Sequence, residues 1–433
     1  MHLIKKIVKD QQSGIKRGIY SVCSANKYVI RASLLKAKSD NTDVLIESTC
    51  NQVNQFGGYT GMKPEDFKQF VFEIAEDVGI KRDKIILGGD HLGPNVWQDE
   101  SEEEAMFKAW EMVRQYVLAG YTKIHLDASM PLASDRNIPL VPEVIAERGA
   151  RLCKAAEEAY QELKKINPDA VQPVYVIGTE VPTPGGMQDE SETLQVTEVS
   201  DFRETVELSK NAFQEYDLQN AWENVVAVVV QPGVEFGNNI VEEYDPEEAR
   251  ELVEALHEYE NIVFEGHSTD YQTPELLKKM VEDGIAILKV GPALTFAVRE
   301  ALYGLAKIEN ELYKFNSSIN LSKFIETLDM EMIENPSNWK KHYLGKEKKI
   351  QFDRKYSFLD RSRYYYSSEE VERAINKLIT NLKLREMPLT LISQCLPKQY
   401  KHLRSGLINN NPTDFIIDNV IDVLDDYSQA TNL

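Results

Sequence analysis

Cysteine is scarce. The 433 residues hold only four, Cys23, Cys50, Cys153 and Cys395, and none stands in CxxC spacing. That spacing argues against a zinc knuckle or a redox pair and fits reduced thiols in a cytoplasmic protein. Positive charge is the second shortage: 49 Lys and Arg stand against 70 Asp and Glu, a net charge of −21. A chain this acidic is a poor non-specific partner for nucleic acid or an anionic membrane. If its substrate carries a phosphate, local cations or helix N-termini must overcome the global field. No apolar run is long enough to span a bilayer, and the opening MHLIKKIVKDQQ lacks the apolar core of a signal peptide. Neither a GxxxxGK[ST] phosphate loop nor a GxGxxG fingerprint occurs. HExxH, GxSxG and the kinase motif set are missing too. No nucleotide cofactor is expected.

What is present is a repeat. An apolar strand runs into a polar residue or glycine, a helix follows, and the unit returns. The strand runs are Gly18–Ser24, Val44–Thr49, Lys84–His91, Lys123–Ser129, Val174–Glu180, Val225–Gln231, Ile262–His267 and Ala286–Gly291. Strands alternating with helices imply parallel βαβ units, and eight such units fit an α/β fold of the closed (β/α)8 TIM-barrel type. Helical stripes lie between them, over Pro64–Ala75, Ser101–Gly120 and Pro246–Tyr259. A helix over Phe296–Tyr313 is expected to close the barrel. The division is therefore a barrel over residues 1–315 and a helical C-terminal extension over 316–433, packed on it.

Barrels of this kind place their chemistry at the C-terminal strand ends. Here those ends carry Glu47, Asp90, His91, Asp127, Glu180, Gln231, Glu265 and His267. Side chains alternate along a strand, so His125, Asp127 and Ser129 share one face of KIHLDAS and Ile124 and Leu126 the other. Taken singly, His125 and Glu47 read as satisfied polar groups of the core. His91, Glu180 and His267 end strands three, five and seven. Two imidazoles and a carboxylate with an open position make a divalent-metal site, with zinc the first choice. Asp90, Asp127 and Glu265 remain as acid or base candidates. Polar loops follow the strands, the longest being NQVNQFGGYTGM from Asn51 to Met62. Glu47, Asn51, Gln55 and Gln231 are the expected substrate contacts on this side. For a phosphate, Ser268, Thr269 and Thr295 would act beside free N–H groups of the Gly291–Thr295 turn. The extension would add a cation from DRSRYYY or LPKQY: Arg361, Arg363 or Lys398.

The strings SVCSAN, IESTCNQVNQFGGYTGM, ILGGDHLGPN, KIHLDASM, YVIGTEVPTPGG, VVQPGVEF, GHSTDYQT, LKVGPALTF and SQCLPKQY resemble the Z-type subunit of bacterial tagatose-1,6-bisphosphate aldolase, the GatZ/KbaZ-like family. The likeness runs from Ser21 to Tyr400 and beyond. It implies a class II aldolase-like barrel and a partner, the Y-type catalytic subunit, whose full activity and stability the Z-type chain supports in galactitol or N-acetylgalactosamine breakdown. Some relatives are similar to metal-dependent 4-epimerases that interconvert fructose 6-phosphate and tagatose 6-phosphate. Members have also carried a tagatose-6-phosphate kinase label, which the missing nucleotide motifs oppose. Self-association into a homo-oligomer is compatible with the family. Asp90-His91 resembles the Asp-His pair ending aldolase strand three, where Asp is the acid/base and His a zinc ligand. The later positions depart: Gln231 ends strand six, and strand seven reads Glu265-Gly-His267 in place of His-Gly-Gly. The ligand set therefore differs from that of the aldolases.

Overall fold

The computed structural model describes residues 2–135, 140–178, 186 and 194–432. Its centre is a closed barrel of eight parallel strands: β1 (Ile19–Cys23), β2 (Val44–Thr49), β3 (Ile85–Leu92), β4 (Lys123–Leu126), β5 (Val174–Ile177), β6 (Val225–Val230), β7 (Val263–Gly266) and β8 (Ile285–Val290). Each strand pairs with its chain neighbour, and β1 closes on β8 with Ile19 opposite Ile287 and Val22 opposite Val290. The eightfold repeat is thus realised as the expected barrel.

The interior is layered because each strand alternates. At the base, Ile19, Leu45, Val174, Val176 and Ile287 form an apolar cluster with Ile4, Ile7 and Val8 of the helix Leu3–Gln12, which plugs that end. Two residues further along the strands the inward positions turn ionic: Glu47, Lys123, Glu265 and Lys289, all buried. The next inward step reaches His125 and His267. The larger apolar core lies between the strands and the surrounding helices.

Several expected elements change length. The helix of Pro246–Tyr259 contracts to Arg250–Leu256. The one expected from Phe296 begins a turn earlier, at Pro292, because proline suits a first helical position and Gly291 is its cap. Strands β4 and β7 stop at Leu126 and Gly266, so Asp127 and His267 lie just beyond the sheet. A short antiparallel ladder, Glu235–Phe236 against Val241–Glu242, follows β6.

The extension is not a separate layer. Its last helix, Pro412–Thr431, packs against the helices Lys27–Asp40 and Pro274–Glu282, which follow β1 and β7, and against Pro292–Tyr313. It therefore stands in the outer ring where the eighth helix of a barrel belongs. Thr431 accepts a hydrogen bond from the Gly18 N–H at 2.8 Å, and Tyr427 donates to the Thr269 carbonyl at 2.7 Å. The helix Pro292–Tyr313 instead carries the extension helices Phe324–Glu334, Glu369–Leu382 and Leu389–Cys395.

Candidate active site

Burying charge in a barrel requires compensation, and the ionic layer supplies it internally. The Lys123 ammonium lies 2.6 Å from Glu47 and 2.7 Å from Glu265. Lys289 contacts Glu47, lies 2.8 Å from Asp90 Oδ1 and 3.7 Å from Glu265. Burial would raise the Asp90 carboxyl, but Lys289, His91 and the His125 hydrogen bond together hold it well below the usual range. Burial opposes ionisation of Glu265 too, and Lys123 and Lys289 outweigh it. The layer is packed tightly: a Cβ on Gly88 would sit 2.5 Å from Glu47 Oε1.

Above this layer three imidazoles converge. Ring centroids are 5.1 Å apart for His91 and His125, 4.9 Å for His91 and His267, and 5.2 Å for His125 and His267. Strict alternation would send either Asp90 or His91 out of the barrel. The chain avoids this with a left-handed residue, His91 at φ 48°, and a register shift against β4 between Gly89 and Leu92. Such a bulge re-aims side chains. Both residues are buried, and with His125 and His267 they offer ligand atoms all within 4.8 Å of one another.

Each imidazole has a carboxylate on one nitrogen. His91 Nδ1 lies 2.7 Å from Asp127 Oδ2, His125 Nδ1 lies 3.0 Å from Asp90 Oδ1, and His267 Nε2 lies 3.1 Å from Glu265 Oε1. The other nitrogens, His91 Nε2, His125 Nε2 and His267 Nδ1, are outside these bonds, and His125 Nε2 is buried with no hydrogen-bond partner among the described residues. His125 Nδ1 also faces the His91 N–H at 3.1 Å. These two contacts belong to alternative tautomers: with Nδ1–H directed at Asp90, Nε2 is a bare lone pair, and with Nδ1 accepting from the His91 N–H, Nε2 carries a proton that a metal would displace. Carboxylate-backed imidazoles with an orphaned nitrogen fit the donor set of a divalent transition metal. Burial pushes His267 down to about 3 against the pull of Glu265, so its ring is neutral at physiological pH. His91 is raised, because Asp90 and Asp127 outweigh burial; metal ligation would compete with that proton.

The cluster opens into a cleft whose wall includes Asp90, His91, His267, Asn51, Ser268 and Arg363. Of the three expected acid/base carboxylates, Asp90 reaches this wall, while Asp127 and Glu265 lie behind the imidazoles they hold. A Cβ on Gly93 would fall 1.5 Å from the Asp127 carbonyl, so glycine lets the loop after β3 cross this close to β4.

Other expected contacts are committed elsewhere. Glu47 sits in the ionic layer beneath the cleft. Gln55 donates to the Lys108 carbonyl at 2.9 Å, and Gln231 accepts from the N–H groups of Gly233 and Val234. Thr269 donates to the Lys289 carbonyl at 2.7 Å, and Thr295 to Asp360 at 2.5 Å, though Thr295 also borders a neighbouring chamber. The Gly291–Thr295 turn does not offer free donors: Asp270 accepts from Gly291 N at 3.0 Å and from Ala293 N at 2.8 Å. Lys398 is exposed and 3.6 Å from Asp422, off the cleft wall; Arg361 is buried behind it. Glu180 lies outside the described residues. Three participants went unrecognised. His125 read as a core residue, and the signal against that was its i−2 spacing from Asp127. Lys123 and Lys289 were passed over, although a lysine inside an apolar strand demands buried acids.

Residues 4–432 match the family described as D-tagatose-1,6-bisphosphate aldolase subunit GatZ/KbaZ-like. The D-tagatose-1,6-bisphosphate aldolase subunit GatZ of Klebsiella pneumoniae is 47% identical over 424 residues, covering 98% of both chains. That of Salmonella paratyphi B is 46% identical with the same coverage. A crystal structure from Sinorhizobium meliloti, named a probable tagatose 6 phosphate kinase, superposes with a TM-score of 0.87 at 44% identity, covering 96% of this chain and 100% of that one. The chain belongs to the D-tagatose-1,6-bisphosphate aldolase subunit GatZ/KbaZ-like family.

Proposed function

We propose that this chain is the Z-type subunit of a two-component tagatose-1,6-bisphosphate aldolase and that its barrel mouth is a working site for a ketose phosphate. The membership supports the first part. The observation that carries the second is the convergence of three carboxylate-backed imidazoles beside Asp90 on the wall of an open cleft. A barrel serving only as a scaffold has no use for buried ionisable groups in this arrangement. His91, His125 and His267 would hold a divalent ion, zinc the first choice, with Asp90 alongside and Glu180 as a further ligand. When bound, such an ion supplies Lewis-acid polarisation of a substrate carbonyl. Asp90, ionised beneath the imidazoles, would accept the proton of a substrate hydroxyl. Asp127 and Glu265 would orient His91 and His267.

A second reading is favoured by the placement of Asp90. A carboxylate on the cleft wall suits a ketohexose-phosphate 4-epimerase, in which the C4 hydroxyl loses its proton, the C3–C4 bond opens, and the aldehyde turns and re-adds. The two readings separate in one experiment. The purified chain is analysed for metal and incubated alone with tagatose 6-phosphate or fructose 6-phosphate, then mixed with a Y-type partner and tagatose 1,6-bisphosphate. Stimulated cleavage only in the mixture selects the subunit role. Isomer formation by the lone chain, lost in Asp90→Asn, selects the epimerase. A metal-free chain inert in both assays removes the working site.

A further inference from the structure

Two arginines of the DRSRYYY segment flank one phenol. Arg361 donates to Tyr364 Oη at 3.0 Å from one side and Arg363 at 3.2 Å from the other. Arg361 is 5% exposed; its guanidinium otherwise meets the His342 ring, and its Nε is buried without a hydrogen-bond partner among the described residues. Arg363 donates otherwise to the carbonyls of Leu359 and Asp360. Among the described residues neither guanidinium pairs with a carboxylate. The nearby acids are engaged: Asp360 with Arg299 at 2.7 Å, Thr295 and Ser362, and Asp270 with the turn of Gly291 and Ala293. Arg361 is buried and Arg363 half-buried, and two adjacent cations with no carboxylate in hydrogen-bond contact are costly, the more notable in a chain of net charge −21.

Arg363 also occupies a junction. It borders both the cleft of the imidazoles and a second chamber of about 310 Å³, the two sharing Cys23, Gln52 and Tyr59. We infer that the phosphate of the ketose binds at Arg363, at this junction, and supplies the anionic hydrogen-bond partner that neither guanidinium has among the described residues. Arg361 is a positioning residue that backs the site through Tyr364. The inference rests on the reading of the mouth as a ketose-phosphate site and names its anion anchor. The planar, forked donors of an arginine suit a phosphate, whereas the N–H groups of the Gly291–Thr295 turn are capped by Asp270.

The test is calorimetric titration of the full chain with inorganic phosphate, tagatose 6-phosphate and unphosphorylated tagatose. Arg363→Met is expected to weaken the two phosphate ligands roughly ten- to a hundred-fold, the scale of one or two charge-assisted hydrogen bonds, and to leave tagatose unchanged. Arg363→Lys, which keeps the charge, should recover part of the loss and controls for folding. Arg361→Gln should lower the affinity for both phosphate ligands by a smaller factor, again with tagatose unaffected. Tagatose 6-phosphate binding that is indifferent to Arg363→Met and Arg363→Lys overturns the inference while the ketose-phosphate reading stands. Inorganic phosphate binding that is lost in Arg363→Met, in a wild-type protein that does not bind tagatose 6-phosphate, sustains the anion site and removes that reading. Wild-type protein that binds neither phosphate ligand overturns both.

Discussion

Asp127 holds His91 from behind: its Oδ2 lies 2.7 Å from His91 Nδ1, while its Oδ1 accepts from both the hydroxyl and the N–H of Ser129, at 2.6 and 3.0 Å. The carboxylate is fixed at both oxygens, so the ring it orients is fixed as well. Asp127→Asn keeps the shape but weakens this hold. The expected outcome is a drop in divalent-metal affinity of about 10–100-fold, read by competition with a chromogenic chelator. Unchanged affinity would place the metal away from His91.

His125 is the sharper test of the metal set. Among the described residues its Nε2 is a buried nitrogen without a hydrogen-bond partner. His125→Asn should reduce bound metal well below the wild-type stoichiometry measured by elemental analysis, with the far-ultraviolet circular dichroism unchanged. Full metal content in that variant would return His125 to the role of a core residue.

Lys123 compensates two acids at once. Replacing it by Met leaves Glu47 and Glu265 facing each other in the barrel with Lys289 alone. Removing one partner of a buried ion pair costs about 3–5 kcal/mol. Lys123→Met is expected to lose stability on that scale in urea unfolding, and the double variant Lys123→Met with Glu47→Gln to lose less. A loss under about 1 kcal/mol in the single variant would mean that water reaches the layer.

Asp270 predicts a pH effect of definite sign. Burial, partly offset by the N–H groups of Ala293 and Gly291, raises its carboxyl to about 6. The folded state then binds the proton more tightly than the unfolded state. The stabilising contribution is complete below about pH 4 and disappears as pH rises through about 6. Asp270→Asn still accepts from both N–H groups but does not titrate. It should match wild type near pH 4 and exceed it by up to about 3 kcal/mol above pH 7. Urea unfolding across that range checks it; a constant difference between the two proteins would refute it.

The barrel was legible because strand period and helix period alternate eight times, and the polar strand ends mark its mouth. What could not be read was how the mouth is divided. Alternation places Asp127 and Glu265 inward, but only coordinates show that they stand behind His91 and His267 and leave Asp90 on the wall. The bulge at His91 breaks the period that the reading relies on. A helix N-terminus after β8 looked open to phosphate because its cap, Asp270, lies more than twenty residues earlier in the chain. The helix Pro412–Thr431 carries no mark in its own sequence that it belongs to the barrel ring, since its partners, the helices Lys27–Asp40, Pro274–Glu282 and Pro292–Tyr313, all lie about a hundred residues or more before it.

That last helix bears on how the protein is made. Gly18 and Thr431 are hydrogen-bonded although some four hundred residues separate them, and β1 has β8 as its second neighbour. At roughly 5–20 residues per second a ribosome needs roughly 20–80 s to cover that distance. Throughout that time the helix Lys27–Asp40 has an uncovered flank, and until β8 is made β1 has an unpaired edge. An exposed strand edge invites pairing with other chains. Synthesis of this barrel is therefore a period of aggregation risk that ends only when its final helix docks, and shielding by a chaperone should raise the yield of folded protein more than it does for barrels whose eighth helix follows directly on the eighth strand.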